Sequence, residues 1–309
     1  MFDVKPEIRL MNREQTQKVH NDALAILEKT GIMVDDPKAL ALFEKAIGKQ
    51  SKNHRIRIPE ELVQWAINAA PCETKIFDRL GNPCFTLNGD GTREAVFGIG
   101  VTNLHYQDPL KNDIQPFFRH HMAAATGLGN SLDNFDFIST PGVIQDISSE
   151  TADLYGVLEM MANTTKPLVI LISDWDSFNP ALDLCEHLVG DISTHPFLIP
   201  YVNPITPLTL NSETTMKMDA SIKRGLPLIF SNYGMSGATC PITPAGTLAL
   251  LTAELLAGLT YSQLVKEGAP IILGSLPAAF DMKKAGSFYS PATLLLNLAC
   301  AEMMTSYKI

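Results

Sequence analysis

The sequence predicts an α/β fold of the (β/α)-barrel type, preceded by an appendage of short helices and a β-hairpin. Three observations carry this reading. From residue 96 onward, short β-branched or aromatic runs alternate with amphipathic helical patterns six times in succession. The runs are apolar along their length, as strands are when both faces of a parallel sheet are covered. Six such units exceed one half of a doubly wound sheet, and no Gly-x-Gly-x-x-Gly follows the first strand. A barrel is the better solution.

The appendage is read element by element. Asn12, with Gln15 three residues later, marks a capped helix start, and Val19, Leu24, Leu27 and Ile32 follow at helical intervals. Pro37 opens a second short helix with Leu40, Leu42 and Phe43. Arg55–Ile58 alternates like a strand, and Pro59 starts a third helix. Two strand-like runs around Leu80-Gly81-Asn82 form a hairpin. No pocket chemistry is visible in this region. The expected division is 1–92 for the appendage and 93–309 for the barrel.

The barrel strands are expected at 96–101, 135–140, 168–173, 196–202, 227–233 and 270–275, with helices near 115–130, 148–164, 178–191, 212–224, 244–267 and 291–306. A closed barrel needs eight units, and the last helix runs to Ile309 without a Gly or Pro stop. The expectation is that the last two strands lie in a continuing polypeptide.

Hydrophobic residues make up 46% of the chain and charged ones only 18%, which allows a large core and argues against disorder. A formal net charge of −9 argues against a nucleic-acid partner, because phosphate binding needs a basic face. The five cysteines are odd in number and scattered, with no Cys/His cluster at metal-ligand spacing, so neither a disulfide framework nor a metal site is expected. His120 and His121 adjoin on a helix and are expected to face different ways. The opening MFDVKPEIRLMNREQ lacks the apolar core of a signal peptide. The apolar stretch Gly246–Val265 is broken by Glu254, Gly258, Tyr261, Ser262 and Gln263, so it reads as a buried helix rather than a membrane span. Cytoplasm is the expected compartment, with no membrane partner and a homo-oligomeric assembly.

In a parallel barrel, the site forms where strands end at their C-terminal side. Those ends offer Phe97, Asn103 and His105 from the first strand, Thr140 from the second, and Asp174 and Trp175 from the third. Asn203 follows the fourth, Ser231, Tyr233, Met235 and Gly237 the fifth, and Phe280 the sixth. The set is hydroxylic, amide and aromatic with almost no basic residue. It suits a small cation held by ring faces and poorly suits a phosphorylated ligand. Each of these residues has a plain alternative as a turn former; Trp175 in particular either caps a cation site or covers the barrel rim.

The segment MSGATCPITPAGTLAL, with its Gly237-Ala238-Thr239, Pro241, Thr243 and Ala245-Gly246 pattern, resembles the trimethylamine methyltransferase family, including members that act on quaternary amines such as glycine betaine. So do the opening MNREQTQKVHNDALAILEKTGIMVDDPKALALFEKAIG, the stretch RIRIPEELVQWAINAAP and the closing FDMKKAGSFYSPATLLLNLACAEMMTSYKI. The resemblance spans essentially the full chain. It implies a TIM (β/α)8-type barrel that passes a methyl group from a methylated amine to the Co(I) of a corrinoid (cobalamin-type) cofactor carried by a separate corrinoid protein. Glycine betaine is the first expected substrate and trimethylamine the second. The archetype uses pyrrolysine, at a position that the family pattern places beyond Ile309, so the catalytic residue is expected outside this sequence and the 309 residues are expected to be catalytically incomplete. Because loss of methyl from a quaternary nitrogen leaves a neutral amine, no general acid is required. Ring faces such as Tyr233, Phe280, Phe97 and Trp175 would hold the cation, Asp174 would add charge, and Asn103, His105 or the amides around Gly237 would receive a betaine carboxylate.

Two other readings fit a barrel of this kind. One is a folate-linked methyltransferase, whose pterin slot would need a strand-end carboxylate from Asp136, Asp174 or Asp281. The other is a non-catalytic barrel remnant that binds a small molecule.

Overall fold

Asn12 caps the first helix, α1 (Arg13–Lys29), as its spacing predicts: its side chain accepts the Gln15 N–H at 2.9 Å while Gln15 accepts the Asn12 N–H at 2.9 Å. Val19, Ala23, Leu24 and Leu27 form its buried stripe. Strand β1 (Ile32–Val34) leads to α2 (Pro37–Ile47), where Pro37 occupies the first turn and Asp36 caps it. Strand β2 (Arg55–Ile56) and α3 (Glu60–Ala69) follow, then β3 (Glu73–Phe77) and β4 (Pro83–Asn88), paired antiparallel as the predicted hairpin. The computed structural model describes residues 8–89 and 95–309.

The second region opens with a small antiparallel hairpin, β5 (His105–Gln107) and β6 (Ile114–Pro116), ahead of α4 (Arg119–Ser131). Strand–helix units then run in order. They are β7 (Ile138–Ser139) with α5 (Ser149–Asn163), β8 (Leu168–Ile170) with α6 (Trp175–Val189), and β9 (Leu198–Val202), short β10 (Thr209–Leu210) and α7 (Ser212–Lys223). Strand β11 (Leu228–Ser236) precedes α8 (Pro244–Val265), and β12 (Ile271–Asp281) with β13 (Gly286–Phe288) precedes α9 (Pro291–Tyr307). The sheet order is β13-β12-β11-β9-β8-β7. From β7 to β12 each strand of this sheet lies parallel to the next, the arrangement of an open, curled half-barrel, while β13 pairs antiparallel with β12.

The predicted strand at 96–101 is reduced to a single parallel bridge, Gly98 with Phe137. Two features explain this. The Asp136 carboxylate takes the Phe97 N–H at 2.7 Å, and Gly98 approaches the Phe137 ring so closely that a Cβ there would lie 2.2 Å from it. Residues 105–107, expected as a simple strand-end loop, instead fold back on 114–116. The His120 and His121 rings lie with centroids 3.9 Å apart, so the expectation that they face different ways fails at this first turn of α4.

The two faces of the sheet are distinguished by their partners. Leu228 and Phe230 of β11 and Ile271 and Leu273 of β12 point outward into a core shared with α1, α2, α3, α8 and α9. Ile138, Leu168, Ile170 and Leu198 do the same for α4, α5 and α6. By the two-residue period, Val169, Ile199, Ile229 and Ile272 point to the opposite, concave face, and Val169 and Ile199 are buried there against Ile76. Ile76 belongs to β3. The hairpin therefore does not pack outside the sheet with α1, α2 and α3, but against the inner face near the strand starts. There the Phe77 N–H donates to the Pro196 carbonyl at 3.0 Å and the Arg79 N–H to the Thr165 carbonyl at 2.8 Å.

Helix α8 is apolar all round and is the one described helix long and apolar enough to cross a membrane; here it is buried, packed by α1, α2, α3, α7 and α9.

Candidate active-site cleft

A cleft of about 300 Å³ opens where the first four parallel segments end, the location that the fold class reserves for chemistry. Thr102, Thr140, Leu171, Ser173, Tyr201 and Asn203 supply the strand-end side, and Asp153 of α5 with Asn211, Glu213 and Lys217 around the start of α7 supply the other. Lys217 is 7% exposed. Its ammonium donates to the carbonyls of Ile172 at 3.1 Å and Ser173 at 3.0 Å and to Glu213 Oε2 at 3.3 Å. The Ser173 N–H donates to Asp153 Oδ2 at 2.6 Å. The end of the third strand is thus held by a carboxylate from the helix before it and an ammonium from a helix beyond it. Burial pushes the Asp153 carboxyl above the usual range; its bond from Ser173 and the nearby Lys217 oppose this, while Asp174 adds to it.

The predicted site residues divide by face and place. Thr140 and Asn203 line the cleft. Thr140 Oγ1 accepts the Leu171 N–H at 2.9 Å, and Asn203 Nδ2 donates to the Ser231 carbonyl at 2.8 Å, tying the loop after β9 to β11. Ser231, Tyr233 and Met235 alternate with outward-facing Phe230, so they belong to the concave face above the hairpin. Tyr233 has company there. Tyr201 of β9 lies on the same face, packed with Ile199 and Ile229. Desolvation raises the phenol of the largely exposed Tyr289, and the nearby Tyr233 and Tyr201 raise it further. Asn103 sits at the rim, bridged to Gly142 and donating to the Pro141 carbonyl at 2.8 Å.

The remaining residues are placed elsewhere. His105 is exposed in the β5–β6 hairpin. Asp174 caps α6 by accepting the Ser177 N–H at 2.8 Å, and Trp175 stacks on Phe178 with centroids 6.3 Å apart, against the core under α6, so it covers the rim. Gly237 lies in a turn closed by its own N–H to the Cys240 carbonyl at 3.0 Å. Phe97 and Phe280 stand on the first and last parallel segments, with β7, β8, β9 and β11 between them. None of the four rings expected to surround a cation, Phe97, Trp175, Tyr233 and Phe280, lines this cleft. Each of the three carboxylates from which a pterin slot would draw its one is engaged in local bonds. Asp136 holds the Phe97 N–H, Asp174 is a helix cap, and Asp281 accepts from Lys283 and Lys284 N–H at 2.8 and 3.2 Å.

Residue-by-residue reading of strand ends passes over Asp153, Glu213, Lys217 and Tyr201. Lys217 carries a usable signal. It adjoins Met218 and lies one turn before Ser221, both fully buried, so a lysine sits on the buried stripe of α7. Glu254 stands out in the sequence only as a break in an apolar run. It is fully buried and accepts from Leu208 N–H at 2.6 Å, Thr206 Oγ1 at 2.8 Å and Asn232 Nδ2 at 2.8 Å. Asn232, itself fully buried, also bonds Ser275 Oγ, and Asn297 Nδ2 donates to the Ser275 carbonyl at 2.7 Å. This network fixes the loop that runs from cleft residue Asn203 through the cis Thr206–Pro207 bond to cleft residue Asn211. The appendage, where no pocket chemistry was expected, contributes to a broad polar groove of about 1020 Å³ between α1, α3 and α9. That groove lies away from the strand ends. Among the described residues no group of three or more His, Cys, Asp or Glu is placed to hold a metal ion.

The family profile described as trimethylamine methyltransferase (MTTB) matches residues 2–309. The chain belongs to that family. It is 27% identical over 301 residues to the trimethylamine methyltransferase MttB of Desulfitobacterium hafniense (strain DSM 10664 / DCB-2), covering 96% of this chain and 60% of that one. It is 26% identical over 317 residues to the glycine betaine methyltransferase of Desulfitobacterium hafniense (strain Y51), covering 100% of this chain and 64% of that one. The chain therefore spans about three-fifths of the length of these curated relatives. Among solved structures, the monomethylamine methyltransferase (MtmB) of Methanosarcina barkeri superposes with a TM-score of 0.61 at 12% identity, over 96% of this chain and 60% of that one, a likeness of fold.

Proposed function

We propose that the protein serves in transfer of a methyl group from a quaternary or tertiary methylamine, glycine betaine first and trimethylamine second, to the Co(I) of a corrinoid on a separate protein. The observation that carries this is the match of the methyltransferase family profile to residues 2–309. Its relatives are named for trimethylamine and for glycine betaine, which supports the substrate class. A cleft of about 300 Å³ takes a small ligand and has no room for a corrin ring, which fits a cofactor presented from outside by another protein. On this reading the chain's own residues do the binding and orienting. The Tyr201 face, at the cleft wall, and the Tyr233 face beside it would each hold the ammonium with roughly 0.5–2 kcal/mol. The walls would aim one methyl toward the open mouth and keep water from the others. When the C–N bond of a quaternary ammonium breaks, its electron pair stays on nitrogen and a neutral amine leaves, so no side chain has to supply a proton. Trimethylamine reacts the same way as its protonated ammonium form, which brings the proton with it.

The same reading makes the half-barrel sheet part of a (β/α)8 barrel, with residues 93–309 as barrel and 1–92 as appendage, in a cytoplasmic homo-oligomer. The test is calorimetric titration of the purified protein with glycine betaine and trimethylamine, followed by assay of methyl transfer with a Co(I) corrinoid protein. Binding of a methylated amine is expected. Tight binding of a phosphorylated sugar, with none of any betaine or methylamine, would overturn the assignment.

A further inference from the structure

Lys217 presents a buried positive charge to the cleft, and its bonding leaves one of its three partners replaceable. Two are backbone carbonyls of the third strand's end, fixed by the sheet. The third is Glu213, one helical turn earlier, at 3.3 Å and with 51% of its side chain exposed, against 9% for the lysine. Glu213 is the only carboxylate among the described residues found within ion-pair distance of this ammonium. A half-exposed glutamate gives up such a pair at little cost, because water takes the carboxylate back. Asp153 is the other carboxylate at hand, but it is turned to the Ser173 N–H. The N-terminal end of α7, with Asn211 and Thr214, faces the same space and adds the positive end of the helix dipole.

We propose that Lys217 receives the carboxylate of the substrate in exchange for Glu213, which makes the cleft selective for a methylammonium carboxylate over a methylamine without one. The inference rests on the methyltransferase reading and deepens it. Of the residues expected from sequence to take that carboxylate, His105 is exposed in a hairpin, the Gly237 amide is spent on Cys240, and Asn103, at the rim, donates its side-chain amide to the Pro141 carbonyl. In the exchange the ammonium keeps both carbonyls and gains an anion inside the cleft, where a charge-assisted bond is stronger than at the surface. The trimethylammonium end then lies toward Tyr201 on the strand-end side of the cleft.

The experiment is calorimetric titration of the wild type and two variants with glycine betaine and with tetramethylammonium, a quaternary cation that has no carboxylate. Glu213→Gln removes the competitor and is expected to tighten glycine betaine several-fold without tightening tetramethylammonium. Lys217→Met is expected to weaken glycine betaine by roughly tenfold or more, while tetramethylammonium still binds. Should the lysine variant fail to fold, the glutamate variant decides alone, because a merely structural role for the pair predicts no gain in affinity. Unchanged or weaker glycine betaine binding by Glu213→Gln overturns the proposal and leaves the methyltransferase reading standing. Failure of the wild type to bind either ligand overturns both.

Discussion

A carboxylate with no exposed surface loses its hydration, and only donors can replace it. Glu254 has three: a backbone N–H, a hydroxyl and an amide NH2. None of the three bonds asks the carboxyl to donate, so glutamine is a poor substitute. Its amide nitrogen would face either the Leu208 N–H or the Asn232 Nδ2. Glu254→Gln is therefore expected to cost about 1–3 kcal/mol, read from the denaturant midpoint near neutral pH. The pH dependence gives a second readout. Burial raises the folded-state value above the ordinary 4.5. The native state then holds its proton more readily than the unfolded chain. This contribution to stability is full below about pH 4.5 and is lost as pH rises through the raised folded value. The glutamine variant is expected to lack that part of the slope; an unchanged profile between wild type and variant would show that Glu254 does not titrate in folding.

At the scale of elements, the repeating patterns are legible because each helix announces itself over many residues. The six helices expected after residue 110 all form, with starts and ends within a few positions of the expected ones. Short pieces are not legible. Strands β1 and β10 pair from distant parts of the chain, Met33 with Thr209, and nothing in Ile32–Val34 or Thr209–Leu210 alone signals a partner. Segment 96–101 departs from expectation for the converse reason: its residues favour a strand, but a tertiary contact, Gly98 on the Phe137 ring, governs its pairing. The same distinction separates two helical glycines. At Gly127 in α4 an added methyl would have nothing within 4 Å, whereas at Gly258 in α8 it would meet the Phe230 ring at 2.3 Å. Gly127→Ala is expected to stabilise by up to about 1 kcal/mol through helix propensity. Gly258→Ala is expected to destabilise by about 1–3 kcal/mol despite the same propensity gain, because the core must move. Chemical denaturation of both variants checks the pair, and stabilisation by Gly258→Ala would mean that α8 and β11 sit further apart than described.

Over the whole molecule, a boundary at residues 92/93 follows the change of rhythm in the sequence, but the core does not respect it. Val19, Leu24 and Leu27 of α1, Phe43 of α2 and Val63 of α3 are buried in one cluster with Leu251, Leu255 and Leu259 of α8 and with Phe230 of β11. Strand β1 of the appendage pairs with β10. The hairpin fills the concave face through Ile76. The strand ends that shape the cleft are legible as loops, whereas the charges that line it come from α5 and α7, whose facing only the assembled fold decides. Removing residues 1–92 would expose much of α8, which is apolar on every side, together with the lower concave face. Patches of that size drive association. The intact protein is therefore expected to unfold in a single calorimetric transition. The 93–309 fragment is expected to show no cooperative transition, to bind a hydrophobic dye and to associate on size-exclusion chromatography. A monomeric fragment with a sharp native-like transition would establish the barrel region as a separate folding unit, and the appendage as a cover that it does not need.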